Sequence, residues 1–156
     1  MAVAAQRTAG ENDARDAYKA TENRLYAYPV IKLKIESDRE RAQEIMRDGA
    51  PARSNSIVRF QRSGIRLDGE QIAEVLVSDI NAQIAANECE RETIEKALSI
   101  VKSDPYSDII RHKYFDGMKD DEIAETMHCD PSTVRRNKSR IVKRLAVFLY
   151  GARAVV

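Results

Sequence analysis

Lys119–Tyr150 reads KDDEIAETMHCDPSTVRRNKSRIVKRLAVFLY, and its order of charged, apolar and capping residues predicts two helices joined by a short corner. The acidic run Asp120–Glu122 suits a first helical turn, where the helix dipole favours negative charge. Asp130 is a good N-cap and Pro131 a good first helical residue, because neither position needs an intrahelical donor. Two such helices, the second with a basic outer face, are typical of a helix-turn-helix whose second helix enters a DNA groove.

The second predicted helix has an apolar side and a basic side. Its apolar residues recur at helical spacing and are Val134, Ile141, Leu145 and Phe148/Leu149. If these residues face inward, the outer side presents the candidate DNA-binding residues Ser132, Thr133, Arg135, Arg136, Ser139, Arg140, Lys143 and Arg144. Residues 131–156 contain no acid. Surface helices usually alternate charge signs to form ion pairs, so this composition indicates a phosphate-binding face rather than an ordinary solvated one.

Position along the helix assigns an expected role to each candidate residue. The N-terminal residues of a recognition helix reach base edges, so Arg135 and Arg136 are predicted to read guanine O6 and N7. Ser132 and Thr133 are expected to hold phosphates beside the helix N-terminus. The basic residues farther along are expected to contact the DNA backbone. A formal net charge of only +1 argues against indiscriminate coating of nucleic acid.

Composition narrows the class of protein. Charged residues make up 33% of the 156, with only 6 Gly and 4 Pro, which favours long exposed helices over a sandwich or barrel. Cys89 and Cys129 lack CxxC spacing and clustered histidines, so neither a disulfide framework nor a metal site is expected. The sequence contains no phosphate-binding loop, paired histidines or nucleophile motif, so we expect no enzyme activity, catalytic residue or cofactor. It also lacks a membrane-length apolar run and a signal peptide, which predicts a cytoplasmic protein without membrane association.

The rest of the chain predicts an all-α protein in four parts. Residues 1–48 form an N-terminal helical region, frayed at the start and regular from about Asp13, with either two helices meeting at Tyr28-Pro29 or one kinked helix. Residues 49–69 form a loop or linker rich in turn residues and arginine, and a short hairpin around Ser63-Gly64 is an alternative. This segment suits either a contact with DNA or protein or a mobile connector. Residues 70–103 form a long central helix, and residues 104–156 form the helix-turn-helix domain.

The central helix carries an apolar stripe from Ile72 to Val101 that weakens across Asn87–Thr93. Such a stripe must pack on the N-terminal helices, on a second copy or on another protein, so a homodimer stays open. Asp104 precedes a proline and is therefore expected to end the helix. A further supporting helix is predicted over Tyr106–Phe115. The N-terminal tyrosines are expected to be core residues rather than base-stacking ones.

The segments Asp116–Glu125 and Asp130–Arg136 resemble region 4 of sigma factors and the related helix-turn-helix of response regulators. The whole layout is similar to ArpU/RinA-type late-gene regulators of phages and prophages of Gram-positive bacteria, which carry an early tyrosine-proline pair, here Tyr28-Pro29. The corner departs from the usual glycine followed by Val or Ile, because His128 and Cys129 stand there. Histidine tolerates a positive φ better than most residues, so we expect a turn role for His128.

The resemblance implies a sequence-specific DNA-binding regulator of transcription. It implies an activator of phage or prophage late genes that binds double-stranded promoter DNA and acts with host RNA polymerase in the bacterial cytoplasm. One alternative is a sigma-like polymerase subunit whose N-terminal helices grip the core enzyme. A less favoured alternative is a small-terminase-type packaging adaptor, in which the DNA-binding module typically comes first.

Overall fold

Every regular element in the described part of the chain is a helix. A computed structural model describes residues 2–51 and 68–155. The elements are α1 (Ala2–Asp48), α2 (Gly69–Val101), α3 (Asp108–Ile110) continuing as the π-helical turn Arg111–Phe115, α4 (Asp120–Thr126), α5 (Pro131–Tyr150) and the short 3-10 turn Ala152–Val155. The predicted all-α class is confirmed. The predicted hairpin around Ser63-Gly64 and the arginines near it lie outside the described residues.

The N-terminal region is one helix rather than two. α1 runs for 47 residues with Pro29 inside it and begins at Ala2, so the prediction that regular helix starts near Asp13 was wrong. Proline removes one backbone hydrogen bond, but Leu25 before it and Ile35 after it are both buried, and packing of the apolar face supplies most of a helix's stability. Gly49 ends the helix with a φ of 85°, which glycine adopts without steric cost.

The described helices group into two compact units, one of residues 1–30 with 92–156 and one of residues 31–91. The 31–91 unit has an aliphatic core in which Ile35, Ala42 and Ile45 of α1 pack with Leu76, Ile80 and Ile84 of α2. The apolar stripe of α2 therefore packs on the N-terminal helix in this unit, which is the first of the three predicted alternatives. The weakening of the stripe across Asn87–Thr93 coincides with the boundary between the units.

The other unit contains the predicted helix-turn-helix. Its C-terminal core joins Ile109, Ile123, Ala124 and Val134, against which Tyr106, Met118, Met127 and Cys129 pack. Val134, Ile141 and Leu145 are buried, as predicted. Phe148 is instead 47% exposed, because the buried stretch of α5 ends at Ala146 and the last turn continues beyond it.

The connection between α2 and the supporting helix is longer than predicted. α2 ends at Val101, and the backbone N–H of Asp104 donates to the Val101 carbonyl at 2.9 Å. The supporting helix begins only at Asp108, and its second half is π-helical. It ends at Phe115, as predicted, and Gly117 follows with a φ of 71°, which glycine adopts without steric cost.

Candidate nucleic-acid interface

The corner between α4 and α5 depends on one left-handed residue. His128 has a φ of 51°, which confirms its predicted role as a turn residue. This conformation lets the backbone N–H of Cys129 donate to the Ala124 carbonyl at 2.9 Å and so closes the end of α4. Ala124 is buried in the C-terminal core, where its small side chain allows the two helices to cross closely.

Substitutions of His128 are expected to separate backbone strain from side-chain effects. His128→Gly removes the left-handed penalty and should raise the free energy of unfolding by up to about 1 kcal/mol, whereas His128→Val should lower it by at least as much, since β-branched residues tolerate positive φ poorly. Thermal melts of the two variants and the wild type test this order. A lower melting temperature for the glycine variant would show that the imidazole itself stabilises the corner.

The start of α5 is capped as predicted. Asp130 accepts a hydrogen bond from the backbone N–H of Ser132 at 2.7 Å, and Pro131 occupies the first turn. Hydrogen bonds from the Ser132 side chain and backbone hold the pKa of Asp130 below its usual value. Ser132 therefore already serves the cap, and a phosphate would compete with Asp130 for its donors.

Six of the eight candidate residues on α5 are exposed and Thr133 and Ser139 are half-buried, but some of the exposed side chains are already paired within the chain. Arg136 and Lys143 lie two turns apart on the side opposite Val134 and Ile141, and both are exposed. Within the described residues, no hydrogen bond or ion pair joins the Arg136 or Lys143 side chain to another residue. Arg135 is also exposed, but its Nε lies 3.3 Å from the Pro131 carbonyl oxygen of its own helix. Arg136 and Lys143 are thus the basic side chains most open to a ligand.

Two other basic residues of α5 bind a carboxylate from the α2–α3 connection. Arg140 donates from both terminal nitrogens to Asp104, at 2.7 and 2.9 Å, and Arg144 approaches the same carboxylate at 3.3 Å. Arg140 also donates to the amide oxygen of Asn137, which is buried. The absence of acids within residues 131–156 therefore did not leave the whole basic face unpaired, because the partner lies elsewhere in the chain.

This ion-pair cluster should respond to acid. The hydrogen bond from Arg140 holds the pKa of Asp104 below its ordinary value of 3.8. A carboxyl group whose pKa is lower in the folded state than in the unfolded state stabilises the fold. This stabilisation is complete when the pH lies above the unfolded-state pKa, and it is lost as the pH falls through the folded-state pKa. Melting temperatures recorded from about pH 6 downwards should fall less steeply for Asp104→Asn than for the wild type. If the melting temperatures of the two proteins fall equally with pH, the fold does not lower the pKa of Asp104.

A second carboxylate binds lysines from two elements. Asp120, at the start of α4, lies 2.8 Å from Lys113 Nζ and 3.5 Å from Lys138 Nζ. Burial raises the pKa of Asp120, but the hydrogen bond from Lys113 and the charge of Lys138 outweigh this effect, and the pKa lies below its usual value. Lys138 is accordingly directed to α4 and is mostly buried, although it belongs to the basic helix.

α1 forms one wall of the helix-turn-helix unit. Tyr114 donates to Glu22 at 2.6 Å and makes an edge-to-face contact with Tyr26 at 4.7 Å between ring centroids. Burial, followed by the hydrogen bond to Glu22, raises the pKa of Tyr114. Burial likewise raises the pKa of Tyr18, while a hydrogen bond with Ser139 of α5 opposes the rise. Ser139 is therefore half-buried beside α1 rather than fully on the outer side.

The remaining tyrosine of this region also serves packing. Tyr28 is buried, donates to Glu95 of α2 at 2.8 Å and lies 5.0 Å from the Phe115 ring. Near the end of α5, the guanidinium of Arg24 lies 5.7 Å from the Tyr150 ring centre, within cation–π range. The expectation that the N-terminal tyrosines are core residues is therefore confirmed for Tyr28, whereas Tyr18 is half-buried and Tyr26 is 48% exposed.

Sequence reasoning missed Asp104 and Asn137. The sequence pattern marks Asp104 only as the residue that ends a helix before proline, and it assigns Asn137 no role. Asp104 and Arg140 are 36 positions apart, and no local pattern pairs residues at that separation. The one available signal was chemical, since residues 131–156 contain no acid and any ion pair of their basic side chains must use a carboxylate from another segment.

No three His, Cys, Asp or Glu side chains among the described residues come close enough to hold a metal ion. Cys89 and Cys129 are free thiols, and Cys129 is partly buried against the C-terminal core. Among the described helices, none combines the length and apolar character needed to cross a membrane.

Comparison with protein families supports the assignment of the C-terminal module. Residues 103–145 match the family model described as Sigma-70, region 4. The match begins just after α2 and contains α3, α4 and α5 through Leu145. Comparison with curated proteins and with solved structures found no significant match. The C-terminal module is thus a sigma-region-4-like helix-turn-helix, and α1 and α2 lie outside the matched stretch.

Proposed function

We propose that this chain is a sequence-specific DNA-binding regulator of transcription whose helix α5 enters the major groove. The observation that carries the proposal is the exposed pair Arg136 and Lys143 on the second helix of a sigma-region-4-like module. An exposed arginine near the start of a recognition helix suits bidentate hydrogen bonding to guanine O6 and N7. A lysine two turns later suits a phosphate on the DNA backbone.

The other candidate residues take supporting roles in this proposal. Arg135 flanks the base-reading residue, while Ser132 and Thr133 lie at the helix start, where backbone N–H groups and the helix dipole favour phosphate. Ser139 lies beside α1, and Asp104 holds Arg140 and Arg144. We assign direct DNA contacts to Arg135, Arg136, Lys143, Ser132 and Thr133, and we propose no catalytic activity or cofactor.

The finer proposal is an activator of phage or prophage late genes that acts with host RNA polymerase in the bacterial cytoplasm. Its support is the likeness to sigma region 4 together with the early Tyr28-Pro29 pair and the order of the elements. A homodimer would give a two-fold symmetric target, since paired helix-turn-helix units read half-sites about one DNA turn apart.

Selection of bound duplexes from a random DNA pool by the purified chain tests the proposal. An enriched motif is the expected result, and two-fold symmetry in that motif would support a dimer. Failure to enrich any sequence, with the protein folded, would contradict an autonomous reader. Ring-sized assemblies in light scattering would instead favour a packaging adaptor.

A sigma-like polymerase subunit is a second candidate. The observation that favours it is the 31–91 unit, which has its own core and lies outside the matched stretch, as expected of a separate partner-binding element. Co-purification with core RNA polymerase, and transcription from the selected motif without the host sigma factor, would favour this candidate. Transcription that requires the host sigma factor would favour the activator.

A further inference from the structure

Arg140 lies on the outer part of α5, yet its hydrogen-bonding capacity is almost fully used within the chain. Its two terminal nitrogens donate to Asp104, and Nε and one terminal nitrogen donate to Asn137 Oδ1 at 3.2 and 3.1 Å. A guanidinium has five N–H donors, so these four bonds leave one. Bidentate binding of guanine or phosphate needs two donors on one edge. Arg140 could therefore bind DNA in that way only by leaving its present partners.

Asp104 is equally well satisfied. Its side chain is only 6% exposed. One oxygen accepts from the Tyr106 backbone N–H at 3.0 Å and from Arg140, and the other accepts from Arg140 and Arg144. A carboxylate offers about four acceptor positions, so these bonds fill it. Without the two arginines, the Asp104 carboxylate would keep the Tyr106 backbone N–H as a protein donor.

We propose that Asp104 is a specificity-determining residue of the DNA interface: by holding Arg140 and Arg144, it weakens the sequence-independent grip on phosphate and leaves base reading to Arg136. The inference rests on the proposed DNA-binding function. Phosphate contacts raise affinity for every sequence alike, whereas base contacts distinguish sequences. Because Arg140 and Arg144 bind Asp104 instead of the DNA backbone, the ratio of specific to non-specific affinity rises.

The test replaces Asp104 by asparagine in the full chain. The asparagine side chain in Asp104→Asn retains an acceptor for the Tyr106 N–H but lacks the charge that binds the two arginines. Affinities for the selected duplex and for a scrambled duplex are measured across a salt series. We expect affinity for the scrambled duplex to rise by about tenfold, the slope of log K against log salt to steepen by about 1 to 2, and the ratio of the two affinities to fall.

Matched variants identify the cause of such a change. Asp108→Asn removes the same charge from an exposed position at the start of α3 and should change the slope much less. Adding Arg140→Gln to Asp104→Asn should reverse about one unit of the steepening, because one released cation is removed. Arg140→Gln alone should leave the slope unchanged, and this variant tests the inference even if Asp104→Asn fails to fold.

Three outcomes would overturn the inference. Asp104→Asn could behave like Asp108→Asn, or it could weaken both duplexes while its melting temperature stays near that of the wild type. Arg140→Gln alone could also flatten the slope by about one, as a direct phosphate contact would. If Arg136→Ala lowers affinity while any of these occurs, only the inference fails. If the wild type binds neither duplex, the proposed function fails with it.

Discussion

Arg136→Ala is expected to lower affinity for the selected duplex by about 5- to 150-fold, equivalent to about 1–3 kcal/mol, and to relax sequence preference at one base pair. The reason is geometric, since Arg136 is exposed near the start of α5, opposite the buried Val134 and Ile141. Its side chain has no partner within the described residues, so alanine removes a DNA contact without breaking an internal one. Binding titrations against duplexes altered one base pair at a time measure both effects.

Lys143→Ala is the matched control for that experiment. It removes one exposed cation from the same side of α5, and we expect a loss that is nearly equal for all duplexes and a salt slope shallower by about 1. If Arg136→Ala gives the same uniform pattern, Arg136 is only a phosphate contact and another residue reads the base. If neither variant changes affinity, α5 is not the recognition helix.

Ile123→Ala is expected to lower the free energy of unfolding by about 2–5 kcal/mol, the range observed when a large aliphatic side chain is deleted from a close-packed core. Ile123 is fully buried in the C-terminal core, where it packs with Ile109 and Val134. Because this core fixes α4 against α5, the variant should also lose DNA affinity as the urea concentration approaches its unfolding midpoint. Urea unfolding followed by circular dichroism, with DNA titrations at the same temperature, measures both losses.

Ile84→Ala provides the comparison for that result. Ile84 is buried in the separate core of the 31–91 unit, so its truncation should cost stability without changing DNA affinity under conditions where the protein stays folded. Loss of DNA affinity in the folded Ile84→Ala protein would contradict a DNA interface confined to the other unit. An unchanged unfolding midpoint for Ile123→Ala would contradict the C-terminal core as described.

Local chemistry predicted the helix-turn-helix well because each of its signals acts over a few residues. Asp130 and Pro131 begin α5, His128 takes the left-handed corner, and Gly117 follows the preceding π-helical turn with a positive φ. Each of these depends on a backbone conformation that the residue type favours by itself. The inward positions of α5 followed in the same way from helical periodicity, except in its last turn, where Phe148 is exposed.

The parts that sequence reasoning missed depend on contacts between distant segments. The pairing of Asp104 with Arg140, and the packing of Tyr18 and Glu22 of α1 against the helix-turn-helix unit, become apparent only when the fold brings them together. Helix periodicity shows that a face must be covered but does not identify what covers it. Sequence reasoning treated Arg140 and Arg144 as available for DNA, whereas in the fold both bind the Asp104 carboxylate.

The arrangement of the two units along the chain has a consequence for synthesis on the ribosome. The unit that carries α4 and α5 combines residues 1–30 with residues 92–156, whereas the other unit is a single continuous segment. Chains emerge from the N-terminus, and units generally fold once all their residues are available. The 31–91 segment is complete before residues 92–156 are made, whereas Leu25 and Tyr28 belong to a unit that needs those later residues. The unit that contains α4 and α5 therefore assembles only after the 31–91 segment has been made, and a C-terminal fragment limited to the matched residues would lack the contacts that α1 provides.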